Sequence, residues 1–210
     1  MPLRKNKTSG HWPLNRFHII PLASQLFLLS FRTIVMREVN SAGLSMAGWA
    51  RAAGVERRSL QRFGASGRGI SISYAWRICE AVGFPFPTVA EAAESLALHT
   101  KDGRPKWTPY LWRARSVQAA DAMHDLSMEV QDFSQRFCLA LAGHLANTGL
   151  SKAELARRSG VARSIISRLE DPARQNLMLD VAYRLAESLG QSLSVLAELA
   201  TVNGQSRGGR

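Results

Sequence analysis

At 210 residues, 46% of them hydrophobic, the chain holds enough apolar material for one large core or two small ones, which sets aside a disordered or fibrous protein. Its 27 Lys and Arg against 16 Asp and Glu leave a formal net charge of +11, a balance that favours a polyanionic partner without identifying one. The two cysteines, Cys79 and Cys138, fall inside apolar helical patterns, so they read as small buried residues in a reducing cytoplasm and not as a disulfide framework.

Residues 1–24 read as a basic leader without ordered structure. Arg4, Lys5, Lys7 and Arg16 stand there with no acid, and Gly10 and Pro13 break any periodicity. The apolar run 19–31 that follows these cations has the outline of a signal peptide, but Pro21 and Gln25 interrupt it and no small-residue cleavage site follows. It is also too short to cross a bilayer, so no membrane partner is expected. From 26 to 39, Phe27, Phe31, Ile34, Val35 and Val39 recur at helical spacing, and the pattern stops at Asn40-Ser-Ala-Gly43, where a turn is expected. Further short helices follow to about residue 96, separated by Gly54, the glycine-rich stretch 64–69, and Gly83 with Pro85 and Pro87.

Between 98 and 116 the composition shifts. Lys101, Arg104, Lys106, Arg113 and Arg115 face one acid, and Gly103, Pro105 and Pro109 are interleaved with Trp107, Tyr110 and Trp112, the pattern of a basic aromatic linker. Residues 116–131 are acidic and helix-compatible, with Asp121, Asp125 and Glu129 on adjacent turns, and lead into a helix over 133–146.

The most informative stretch runs Gly149-Leu-Ser-Lys-Ala-Glu-Leu-Ala-Arg-Arg-Ser-Gly-Val-Ala-Arg-Ser-Ile-Ile-Ser-Arg-Leu-Glu170. Ser151 with Glu154 forms a capping box that starts a short helix. Leu155 faces the core, and Ala156 is small where that helix must cross the next. Gly160 can take the left-handed conformation that ends the helix and turns the chain sharply. Val161, Ile166 and Leu169 bury one side of a second short helix and leave Arg163, Ser164, Ser167 and Arg168 outward. This stretch, with its flanking helices, closely resembles the lambda-repressor-like (Cro/repressor, or XRE) helix-turn-helix family, over about residues 133–200, with 176–189 as a fourth helix and 192–200 as a fifth.

The first half repeats the pattern. A shift of 106 lays Gly43-Leu-Ser45 on Gly149-Leu-Ser151, Ala50-Arg51 on Ala156-Arg157, Gly54-Val55 on Gly160-Val161, and Arg62 on Arg168. A shift of 107 lays Ala75-Trp-Arg-Ile-Cys-Glu80 on Ala182-Tyr-Arg-Leu-Ala-Glu187, and Gly83 on Gly190. The expected fold is therefore all-α: a divergent helix-turn-helix domain over 25–97, the linker over 98–116, a second five-helix domain over 117–200 with an acidic leading helix, and a disordered tail over 201–210. The first copy departs from the family pattern at Met46, at Gly48, which removes the capping acid, and in its glycine-rich stretch.

The resemblance implies double-stranded DNA as partner, with the third helix of each unit in the major groove and the second across the backbone. It assigns Arg163, Ser164 and Arg168 to base edges with Ser167 beside them, and Arg57, Arg58, Gln61 and Arg62 to the matching face of the first unit. Arginine donating to guanine O6 and N7 points to guanine-containing half-sites. Lys152, where the family usually has Gln, falls to phosphate. Arg157, Arg158, Arg174, Arg51 and Arg68 are further phosphate candidates, each equally readable as solvated surface charge. Two units in one chain allow a single polypeptide to occupy two half-sites if the linker spans them. Leu193, Val195, Leu196 and Leu199 of the fifth helix read as domain core or as a homodimer face.

No catalytic constellation is present. His11, His18, His99, His124 and His144 are scattered, none pairs with a cysteine at metal-ligand spacing, and no phosphate-cradling glycine motif occurs, so no cofactor, metal or small-molecule ligand is expected. Gly103-Arg-Pro105 has the core of a minor-groove hook but reads as a turn beside Asp102, and Trp107, Tyr110 and Trp112 read as apolar anchors before a stacking platform. The family implies a cytoplasmic, nucleoid-associated transcriptional regulator, in first place a repressor of phage or mobile-element type. An antitoxin with a toxin partner, or an activator contacting RNA polymerase, remains open.

Overall fold

Apolar side chains at three- and four-residue spacing, broken at short glycine and proline turns, generate ten helices among the described residues. The computed structural model describes residues 21–66, 69–101, 126–171 and 176–205. In chain order the helices are α1 Leu22–Ser41, α2 Met46–Ala52, α3 Arg57–Ser66, α4 Ile72–Glu80, α5 Phe86–Lys101, α6 Leu126–Thr148, α7 Lys152–Ser159, α8 Arg163–Ser167, α9 Leu179–Ser188 and α10 Leu193–Gln205. A 3-10 turn, Arg168–Glu170, prolongs α8. The all-helical expectation holds for these residues.

Several boundaries move. α1 begins at Leu22, because Pro21 does not interrupt a helix but opens one: its fixed φ of −52° suits the position before the first turn, and its carbonyl accepts from the Gln25 amide at 3.0 Å. The glycine-rich stretch does not end α3 at residue 64. The helix continues to Ser66, with Gly64 lying beside Met36 of α1, so tertiary packing overrides the propensity of glycine. α5 runs through residues 98–101, into the segment read as linker, and α10 runs through 201–205, into the segment read as tail. The basic aromatic motif at 103–112, the acidic segment 116–125 and most of the leader lie outside the described residues.

Among the described residues, helices α1–α5 and α6–α10 share one continuous apolar interior. Phe86 of α5 carries it across: its ring lies 5.9 Å from Phe31 of α1 and 5.7 Å from Phe133 of α6, both edge-on. Tyr183 of α9 stacks on Phe27 of α1 at 4.4 Å, and Trp76 of α4 stacks on Phe133 at 5.4 Å. Phe27, Phe31, Phe86, Phe133 and Phe137 are all fully buried. Each such ring contributes about 1.5–3 kcal/mol by leaving water, so the contact between the two helix sets rests on the same burial that stabilises either one.

Backbone and polar contacts seal the joint. The Ile72 amide donates to the Leu177 carbonyl at 2.8 Å and the Leu179 amide to the Ile70 carbonyl at 2.7 Å, flanking an antiparallel bridge between Ser71 and Met178. Ser73 Oγ donates to Asn176 Oδ1 at 2.8 Å. On the other side α5 lies against α10, where Glu94 accepts from the Leu193 amide at 2.6 Å and from Ser194 Oγ at 3.2 Å, capping a helix of the opposite set. Leu193 and Leu196 are fully buried in this packing, so half of the apolar set read as a homodimer face is consumed within the chain; Val195 and Leu199 stay 43% and 46% exposed. Both cysteines are free and buried. Among the described residues no helix is long and apolar enough to cross a membrane, and no group of metal-binding side chains assembles.

Candidate nucleic-acid interface

Ser151 sits in extended conformation before α7, and its Oγ accepts the Glu154 amide at 3.1 Å, satisfying one of the donors that a helix start leaves open. The reciprocal half of the expected capping box is replaced. The Glu154 carboxylate accepts from Arg157 Nε at 2.9 Å and Nη2 at 2.7 Å, and from Arg158 Nε at 2.8 Å. Those hydrogen bonds, from Arg157 first and Arg158 next, hold the carboxyl down at about 2.

α7 ends at Gly160, whose φ of +64° is open to glycine and strained for other residues, and the chain re-enters a helix at Arg163. Leu155, Val161, Ile166 and Leu169 are buried, which fixes the roll of α8 about its axis. With that roll set, Arg163, Ser164, Ser167 and Arg168 are exposed together on one outer face. Arg168 Nε folds back on the Ser164 carbonyl at 3.2 Å, and Arg163 extends from the first turn. Lys152 Nζ meets Glu170 Oε2 at 2.7 Å, tying the start of α7 to the end of the 3-10 turn. This contact is solvent-accessible on both sides, so it contributes little to stability.

The α2–α3 pair is built in the same manner. Ser45 Oγ caps α2 by accepting the Gly48 amide at 3.1 Å, Gly54 makes the left-handed turn with φ of +58°, and Leu60 and Phe63 are buried beneath α3. Arg57, Arg58, Gln61 and Arg62 are exposed on its outer face, and Arg51 is exposed at the end of α2. Arg68 and Arg174 lie outside the described residues.

Two residues with a positioning part escaped the sequence reading. Arg184 of α9 reaches the turn between α7 and α8, where Nη1 donates to the carbonyls of Ser159 at 3.4 Å and Gly160 at 3.3 Å, while Nη2 meets Asp180 at 3.5 Å. Arg77 of α4 does the same for α2 and α3, its Nη1 donating to the Gly54 carbonyl at 3.1 Å. The signal was present: Arg77 and Arg184 coincide under the 107-residue shift, yet each reads as one more surface cation.

Two short helices crossing at a glycine turn, the second bearing a polar and cationic outer face, define a helix-turn-helix unit. A family model described as helix-turn-helix matches residues 146–196, about a quarter of the chain, from the end of α6 through α7, α8 and α9 to the first turn of α10. It is an XRE-type family of DNA-binding transcription regulators. No curated protein and no solved structure matches the chain.

Proposed function

We propose that the chain is a sequence-specific double-stranded DNA-binding regulator that reads its operator with α8 and acts as a transcriptional repressor. The observation that carries this reading is the joint exposure of Arg163, Ser164, Ser167 and Arg168 on a helix whose other side is locked by Ile166 and Leu169, inside the segment matched by the helix-turn-helix family. Arg163 and Arg168 supply forked donors for guanine edges, Ser164 and Ser167 adapt to either base type, and Lys152, Arg157 and Arg158 grip the backbone. Repression needs nothing beyond occupancy, because a protein seated across a promoter excludes polymerase. Toxin capture or polymerase recruitment would each add a protein contact to the same DNA-binding face.

The test is selection of bound duplexes from a random pool by the purified full chain at physiological salt, followed by occupancy mapping in cells. An enriched motif containing guanine, found across promoters whose transcripts rise when the gene is deleted, supports the reading. No enrichment over random competitor would overturn it, and a motif whose transcripts fall on deletion would replace repression by activation. Co-purification of a small toxin with the chain would replace it by an antitoxin role.

A further inference from the structure

We infer that the outer face of α3 is a second double-stranded DNA-binding surface, held with that of α8 about a two-fold axis inside one chain, so that a single molecule seats on an inverted pair of unlike half-sites at one fixed spacing. This rests on the DNA-reading function proposed above and extends it to a surface that the family match does not reach.

The two-fold relation is carried by reciprocity. α1 packs on α9 while α6 packs on α4. Phe27 of α1 stacks on Tyr183 of α9, and Phe133, the residue 106 positions on from Phe27, stacks on Trp76, the residue 107 positions before Tyr183. The amide of Ile72 donates to Leu177 and the amide of Leu179 donates to Ile70, again the same bond made in both directions. In a head-to-tail arrangement a patch on the first unit meets a different patch on the second once only. Here each patch meets its opposite twice, as across an isologous interface between two identical subunits.

The relation extends to the outer helices because each is clamped to its own partner in the same way. Arg77 donates to the carbonyl of Gly54 as Arg184 donates to that of Gly160, so α3 stands to α4 as α8 stands to α9. An axis that relates α4 to α9 therefore relates the two exposed faces. Duplex DNA carries its own two-folds, and an inverted pair of half-sites is the arrangement that meets such a protein on both faces.

Charge and side-chain chemistry commit the α3 face to DNA. Arg57, Arg58 and Arg62 are cationic forks for guanine or phosphate, and Gln61 can make two hydrogen bonds to adenine N6 and N7. α8 presents Ser164 and Ser167 at the places of Arg58 and Gln61, so the halves of the operator differ in sequence. Since both sets share one core, their spacing is fixed by packing, unlike that of two heads on a tether.

The experiment uses the full chain on its selected operator, with Arg57→Ala/Arg58→Ala and Arg163→Ala/Arg168→Ala variants, and operators lengthened by five base pairs, about half a helical turn, between the halves. The expected complex has one chain per operator and a footprint over two unlike, inverted halves. The α3 variant, with unchanged circular dichroism, loses about tenfold or more in affinity on the full operator and nothing on an isolated α8 half-site. The lengthened operator falls to half-site affinity. Wild-type binding by the α3 variant, two chains per operator, or indifference to the inserted base pairs would each overturn the inference. The function proposed above fails separately: in that case the α8 variant also binds as wild type.

Discussion

Phe133 lies against Trp76 with ring planes 21° apart, so a stacked aromatic pair joins α6 to α4. Because Phe133 also touches Phe86 and Phe137, its removal opens a cavity bordered by both helix sets. Phe133→Ala should cost about 3–5 kcal/mol. Denaturant unfolding followed by circular dichroism should show one transition in the wild-type chain, shifted to lower midpoint in the variant. Two separated transitions in the wild-type protein would contradict a shared core.

Arg163 extends from the exposed first turn of α8. Arg163→Ala is expected to lose about 1–3 kcal/mol on the selected operator and to relax preference at one base pair. Binding measured on a panel of single-base operator variants checks this. Equal weakening on every sequence would reassign the side chain to phosphate.

Lys152 Nζ pairs with Glu170 Oε2 at 2.7 Å, and the proposed DNA-reading function sets phosphate in competition with that carboxylate. Lys152→Ala should weaken binding to all duplexes and flatten the slope of log affinity against log salt by about 0.9, the share of one phosphate contact. Glu170→Gln removes the competitor and should strengthen binding at low salt. Titrations across a range of ionic strength decide both, and an unaltered slope for Lys152→Ala would remove the lysine from the interface.

Burial raises the Glu94 carboxyl above its ordinary range, Glu91 adds to the rise, and the hydrogen bonds from Leu193 and Ser194 oppose it. A carboxyl raised by folding binds its proton more tightly in the folded chain. Its favourable contribution is thus complete below the unfolded value of about 4.3 and is lost as pH rises through the folded value. Glu154 works in the opposite sense and at lower pH, since its depressed carboxyl withdraws support only as pH falls from the unfolded value toward about 2. Glu94→Gln should therefore flatten the change of thermal midpoint with pH above about 4.3, leaving the acid limb in place. A variant whose midpoint tracks the wild type throughout would contradict this account.

Much of the local architecture is legible in the residues themselves. Ser151 and Gly160 mark the ends of α7, and Val161, Ile166 and Leu169 set which side of α8 faces out, because capping, left-handed turns and apolar spacing act within a few positions. The joint between the helix sets is not legible in that way. Phe27 and Phe133 read as ordinary core of their own helices, and nothing in their spacing says that the ring opposite comes from the other half of the chain. Ser71, Met178 and Glu94 are likewise unremarkable in isolation, since their partners stand about a hundred residues away. The reciprocal half of the Ser151–Glu154 box is lost for a local reason: two arginines within one turn compete for the carboxylate more strongly than the backbone amide of Ser151 does.

The matched aromatic contacts use different rings, Tyr183 on one side and Trp76 on the other, and Glu94 caps α10 where Thr201 holds the corresponding place in the second set. When two separate but identical subunits meet, every amino-acid change is introduced in duplicate, and a harmful one is felt twice. Within one polypeptide each change falls on one side alone. Either half can thus differ in chemistry from the other, as Tyr183 differs from Trp76.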